Sequence, residues 1–131
     1  MVSIGGSQKI NSFLGPAAGT SQNQGIGTGF IISADGLILT NKHVVSDTTV
    51  KYTVVLGKDN KSYDVQKIYR DPIHDLAIVK INASGLTPLE LGDSSKLEVG
   101  QFVIAIGNAL GEFQNTVTTG VVSGLGRGIS K

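Results

Sequence analysis

The chain has 131 residues, 11 Lys plus Arg against 10 Asp plus Glu, a formal net charge of +1, and no cysteine. That length suits one domain, and the near balance of charge excludes a broad electrostatic footprint for nucleic acid or an anionic membrane. The lack of cysteine excludes a disulfide scaffold, a Cys-based zinc site and a thiol nucleophile. Hydrophobic residues make up 40% of the chain, enough for a packed core, and 18 glycines point to many turns or bulges.

The periodicity is that of strands. Residues 5–25 are polar and rich in Gly, Ser and Gln, and read as a long mobile connection. Gly29 to Ser33 and Leu37 to Thr40 flank the turn signal Ala34-Asp35-Gly36, which predicts a hairpin. Lys42 to Val45 suits a single helical turn, with Asn41 placed to act as its N-cap. Val50 to Leu56 begins as an alternating strand, and Gly57 to Asn60 closes it. Ser62 to Arg70 alternates, with Tyr63, Val65, Lys67 and Tyr69 on one side. Leu76 to Ile81 reads as a mostly buried strand. Asn82 to Pro88 is a turn region, and Gly92 to Gly100 is a connection between two units. Phe102 to Ile106 is a further strand stopped by Gly107-Asn108, and Gln114 to Leu125 reads as a final strand or bent pair. Short strands at regular spacing with Gly-rich turns indicate an all-β barrel or sandwich. No apolar run approaches the roughly 20 residues that span a bilayer, and Met1 to Gly6 has neither the basic head nor the apolar stretch of a signal peptide.

Only two histidines are present. His43 follows the strand LILT. His74 and Asp75 stand just before the apolar run Leu76 to Ile81, where a carboxylate at the mouth of a buried element needs a partner. A surface His and a capping Asp form the plainer reading of these residues. A Zn²⁺ site from His43, His74, Asp71 and Asp75 has suitable donors but no compact ligand spacing.

Five words in a fixed order change the weighing: GTGFII from Gly27, LTNKHVV from Leu39, DLAIVK from Asp75, VGQFVIAIGN from Val99 and TTGVVS from Thr118. Together they resemble the protease domain of the HtrA (DegP-like) family of trypsin-like serine endopeptidases, over residues 25–128. Val2-Ser3-Ile4 is similar to that family's first strand. The resemblance implies an all-β chain. Residues 1–92 would form a trypsin-like six-stranded antiparallel barrel, and 93–131 the connection and opening strands of an incomplete second barrel. It makes His43 the general base and Asp75 a buried carboxylate that orients it, and leaves His74 an exposed neighbour. A serine hydroxyl is a poor nucleophile until an imidazole takes its proton. A carboxylate on the other ring nitrogen fixes tautomer and orientation.

In trypsin-like enzymes the order is His, Asp, Ser, so the nucleophile should follow Asp75 in a Gly-Asn-Ser-Gly-Gly-type turn. No such motif occurs up to Lys131. Gly92-Asp93-Ser94-Ser95 lacks the following Gly-Gly, and the resemblance puts Ser94 and Ser95 in the inter-barrel connection and Ser123 in a structural strand. The expectation is therefore the N-terminal portion of an HtrA-like endopeptidase, with a catalytic His and Asp but no nucleophile or oxyanion hole, inactive by itself. The resemblance implies no cofactor or metal, unfolded polypeptide as the substrate of the full-length parent, and an extracytoplasmic location. Unpaired strands at 102–106 and 116–122 imply a homo-oligomer. The 5–25 segment, with Ile10, Phe13 and Leu14, matches a family insertion that often takes part in oligomer contacts. The alternative is a free-standing, non-catalytic single-barrel module that self-associates or binds peptides by strand addition.

Overall fold

A computed structural model describes residues 1–7, 24–57, 61–109 and 113–126. Six strands form the first unit: β1 (Val2–Ser7), β2 (Gln24–Ile31), β3 (Leu37–Thr40), β4 (Lys51–Leu56), β5 (Lys61–Arg70) and β6 (Ala77–Ile81). They close into a barrel in the order β1-β2-β3-β6-β5-β4, every pair antiparallel. Closure falls to β1, which pairs with β2 on one side and β4 on the other. β7 (Phe102–Ala109) and β8 (Phe113–Val121) make a separate antiparallel ribbon. The helical content of the described residues is two 3₁₀ turns, Lys42–Val45 and Ser94–Lys96. The expected all-β class and six-stranded antiparallel barrel are both observed.

Strict alternation builds the core. Ile38 and Thr40 of β3 point inward, as do Ala77, Val79 and Ile81 of β6. Val2, Ile4, Val54 and Tyr52 join them from β1 and β4, and Val44 and Val45 from the first 3₁₀ turn. These side chains are mostly β-branched, which suits the pleated wall of a small barrel. Thr40 and Tyr52 carry polar groups into the interior, and both are satisfied. Thr40 Oγ1 donates to the carbonyl of Thr28 at 2.7 Å, and the Tyr52 hydroxyl to that of Asp47 at 2.8 Å.

Several expectations are corrected or narrowed. β5 does not keep one alternation. Val65 pairs with Ile81 and Lys67 with Lys80, so Gln66 is an extra residue in a bulge. Beyond it the face reverses: Ile68 packs on the core, and Lys67 and Tyr69 are exposed. β7 is not stopped by Gly107-Asn108 but runs to Ala109 through a register shift. β8 is a single strand that ends at Val121, with Val122 tied to Gly100 and Gln101 by backbone bonds. The segment 5–25 is claimed at both ends, by β1 to Ser7 and β2 from Gln24. Its remainder, with Ile10, Phe13 and Leu14, lies outside the described residues, as do 58–60 of the turn after β4.

The β7–β8 ribbon is amphipathic in an unusual way. Phe102 pairs with Val121, Ile104 with Thr119 and Ile106 with Val117, so these residues share one face. Phe102, Ile104, Ile106, Val117 and Val121 each remain more than half exposed. This is a contiguous apolar surface rather than scattered exposed residues.

The hairpin joining β2 to β3 depends on Gly36, at φ +104°, where a Cβ would meet the carbonyl oxygen of Ile81 at 2.4 Å. That carbonyl belongs to backbone that cannot swing aside, since the amide of Ile81 donates to Gly36 O. Gly85 also has a positive φ, of +68°, but open space around it. Gly36→Ala is expected to destabilise the barrel by about 2 kcal/mol or more, and Gly85→Ala by about 1 kcal/mol. Urea unfolding of the two variants beside the parent checks the difference, and equal losses would refute it.

Candidate active site

The register of β3 on β6 places the site. Thr40 pairs with Ala77, so the chain leaving β3 and the chain arriving at β6 lie side by side at one end of the barrel. The first enters the 3₁₀ turn 42–45, and the second emerges from the loop 71–76. Val44 and Val45 are buried and anchor the turn, which leaves the preceding residue, His43, facing outward. Asp75 stands two residues before Ala77 on the neighbouring chain.

His43 and Asp75 are joined twice. The His43 amide donates to Asp75 Oδ1 at 2.8 Å, and His43 Nδ1 lies 2.7 Å from Asp75 Oδ2. One carboxylate thus clasps the backbone and the ring of a single residue. These bonds, the ring contact first and the amide second, hold the Asp75 carboxyl below its ordinary pKa. An ionised carboxylate at Nδ1 requires a proton on that nitrogen, so the lone pair of the neutral ring is on Nε2. Asn41 Nδ2 donates to the Asp75 carbonyl at 3.0 Å. Asn41 does occupy the N-cap position, but its side chain makes no cap hydrogen bond; it fastens the neighbouring loop instead.

The loop shapes itself around Asp71. Its Oδ1 accepts the amides of Ile73 and His74 at 2.8 and 2.9 Å, and its own amide donates to Leu76 O at 2.9 Å, closing the base. Those two amides, His74 first, hold the Asp71 carboxyl down at about 2. His74 Nδ1 stands 3.4 Å from Asp71 Oδ2, a looser pair than His43 with Asp75. The four residues form two His–Asp pairs, and no metal-binding cluster of three or more His, Asp or Glu is present among the described residues.

Asp75 is not buried as expected. Its side chain is 51% exposed and that of His43 72%. The pair sits on the outer rim of the barrel, and one ring bond and one amide bond, not burial, hold the carboxylate. Ser94 and Ser95 fall in the 3₁₀ turn of the connection. There the Ser95 amide and hydroxyl both donate to Asp93 Oδ1, at 3.0 and 2.5 Å. Asp93-Ser94-Ser95 is a helix N-cap, a signal present in the sequence as Asp before a polar turn. Ser123 is exposed just beyond β8. The parts played by Asn41 and Asp71 were missed at the level of sequence; Asp71-Pro72 at a strand end was the available turn signal.

Residues 27–131 match the family model described as "Trypsin-like peptidase domain". The chain is 41% identical over 114 residues to the "Probable periplasmic serine endoprotease DegP-like" of Ectopseudomonas mendocina, covering 87% of this chain and 23% of that protein. It is 44% identical over 108 residues to the protein of the same name from Marinomonas sp., covering 82% of this chain and 22% of the relative. It therefore spans under a quarter of the length of these curated relatives. Among solved structures, "HtrA-type protease AlgW with decapeptide" superposes with a TM-score of 0.75 at 28% identity, over 97% of this chain and 43% of that one.

The lowered Asp71 carboxyl gives a pH dependence with a definite sign. A carboxyl whose folded pKa lies below its free value of 3.8 stabilises the fold above that value, and the contribution is lost as pH falls through about 2. The amides of Ile73 and His74 should therefore keep their protection from hydrogen exchange at pH 4 and lose it on approach to pH 2. Asp71→Asn should remove that acid step. An acid step unchanged in Asp71→Asn would assign it elsewhere.

Proposed function

The chain belongs to the trypsin-like peptidase family, and on that premise we propose that it is the His- and Asp-bearing part of an HtrA-like serine endopeptidase. The observation that carries the reading is the double bond of Asp75 to His43. His43 acts as general base: with Nδ1–H held by Asp75, Nε2 is free to take the proton of a serine hydroxyl and later give it to the leaving amine. Asp75 holds the ring in that tautomer and stabilises the imidazolium that forms. The reaction is acyl transfer from a polypeptide, and it needs no cofactor. Residues 1–92 are assigned to the first barrel unit and 93–131 to the connection and opening strands of a second. The nucleophile and oxyanion donors belong to sequence beyond these 131 residues, not to Ser94, Ser95 or Ser123. The words serine endoprotease in the relatives' names support a polypeptide substrate. The word periplasmic in the relatives' names supports an extracytoplasmic location.

Lacking a nucleophile removes on the order of 10⁶ in kcat in a measured serine protease, and each missing oxyanion donor typically a further ~10² to 10³. The 131-residue chain is therefore expected to show no His43-dependent hydrolysis of casein. A longer chain from the same gene, carrying a Gly-x-Ser-Gly-Gly turn, should hydrolyse it, with activity falling by about 10⁴ or more in His43→Ala and by about 10⁴ in Asp75→Asn. Hydrolysis by the short chain that disappears in His43→Ala would overturn the assignment of the nucleophile. Full activity of either variant in the longer chain would overturn the roles given to His43 and Asp75.

The apolar face of the β7–β8 ribbon favours self-association of this chain when it is alone. Light scattering at high concentration should report a dimer or larger species, and Ile104→Lys with Ile106→Lys should return it to a monomer. A monomeric parent would refute self-association.

A further inference from the structure

The contact between His43 and Asp75 joins two loops, each with few hydrogen bonds of its own. A four-residue 3₁₀ turn has weak internal bonding, and the 71–76 loop is closed only at its base and by Asp71. Other bonds tie one to the other without using the side chains of the pair. Lys42 Nζ donates to the carbonyl of Asp71 at 2.9 Å. Arg70, the last residue of β5, donates from Nε at 2.9 Å and from Nη2 at 2.6 Å to the carbonyl of Val45. The two links run in opposite senses. A cation of the turn holds the loop, and a cation at the start of the loop holds the end of the turn.

The chemistry suits the task. The Val45 carbonyl ends a 3₁₀ turn, where carbonyls lack partners within the helix. A guanidinium offers two donors in a fixed planar fork and keeps its charge at any ordinary pH, so both bonds are charge-assisted. Lys42 immediately precedes His43 and Val45 follows it by two residues, so the ring is bracketed by anchored backbone. Asp71 is anchored four residues before Asp75.

We propose that Arg70 and Lys42 are positioning residues, which lock the turn carrying His43 against the loop carrying Asp75 and thereby set the ring on its carboxylate. The catalytic meaning of this lock rests on the peptidase reading above, whereas the lock itself does not. A rival role for Arg70 is anion binding. It lines an open groove of about 380 Å³ with Asp47, Lys51, Tyr52, Gln66 and Lys67. Both donors of Arg70 named here are already committed to Val45, however, and the lysines of the groove are exposed.

The test reads the ring directly. In the ¹⁵N-labelled 131-residue chain, two-bond ¹H–¹⁵N correlations above the imidazole titration range distinguish Nδ1–H from Nε2–H, with His74→Ala assigning the signals. The parent should show His43 chiefly as Nδ1–H. Arg70→Met and Lys42→Met remove the donors but keep apolar stems of similar reach, and each should cost the Nδ1–H form its majority. Arg70→Lys, which retains one charged donor, should restore much of it. Should Arg70→Met fail to fold, Lys42→Met carries the comparison by itself, with Arg70→Lys as the near-parental control. In a longer, active chain the Met variants should lower kcat about 10- to 100-fold with KM little changed. An unchanged tautomer in folded Lys42→Met, or in folded Arg70→Met, with amide dispersion like the parent's, would overturn the proposal whatever the peptidase assay gives. A shifted tautomer in a protein without His43-dependent hydrolysis would leave the lock standing and remove only its catalytic meaning.

Discussion

The alignment of Thr40 with Ala77 is the constraint from which the rest follows. It is one rung of the β3–β6 ladder, yet it decides that residues 32 apart in sequence meet. β3 contributes inward-facing Ile38, and β6 Val79 and Ile81, to the same core, so slipping the register by one residue would turn those side chains to solvent. Hydrophobic burial thus fixes the pairing, and the pairing delivers a histidine and an aspartate to the same corner. The site is a by-product of the β3–β6 pairing, not a structure that could form locally.

At that corner the electrostatics are those of an exposed surface. An ion pair in solvent is weak and easily screened, and attraction between charges alone would not hold an imidazole in one orientation. What does so is direction. Asp75 gives one oxygen to the amide of residue 43 and the other to its ring, so the acceptor that the ring meets is itself held by the backbone that carries the ring. The neighbouring His74–Asp71 pair shows the contrast. There the carboxylate serves the loop through amides, and the ring is a distant addition at 3.4 Å.

Much of the barrel was legible because period-two patterns and turn residues are local signals. Leu37 to Thr40, Val50 to Leu56 and Ser62 to Arg70 announce strands in this way, and Ala34-Asp35-Gly36 announces its turn. What escaped depends on partners far along the chain. The Gln66 bulge is set by how β5 meets β6, and nothing within SYDVQKIYR marks it. β7 continues past Gly107-Asn108 because β8 offers Thr116 opposite Gly107. Asn41 carries a capping preference through its side-chain oxygen, but no cap bond forms and its Nδ2 instead donates to the Asp75 carbonyl. The pair His43 and Asp75 came from the motif words. Their spacing alone pointed no more to a dyad than to a surface His and a capping Asp, and the exposure of Asp75 was hidden from both.

β1 has a consequence for how the molecule can fail. Val2 to Gly6 are paired along both flanks and Ser7 on the β4 side, like the last stave driven into a cask. A closed cylinder offers no raw margin to a neighbour, whereas the same five remaining strands without that stave would be an open ribbon with two sticky borders, at β2 and β4. Loss or unzipping of Val2–Ser7, by a clipping enzyme or by mechanical pull, would therefore not merely trim the barrel. It would convert a self-contained body into a template for runaway stacking of copies.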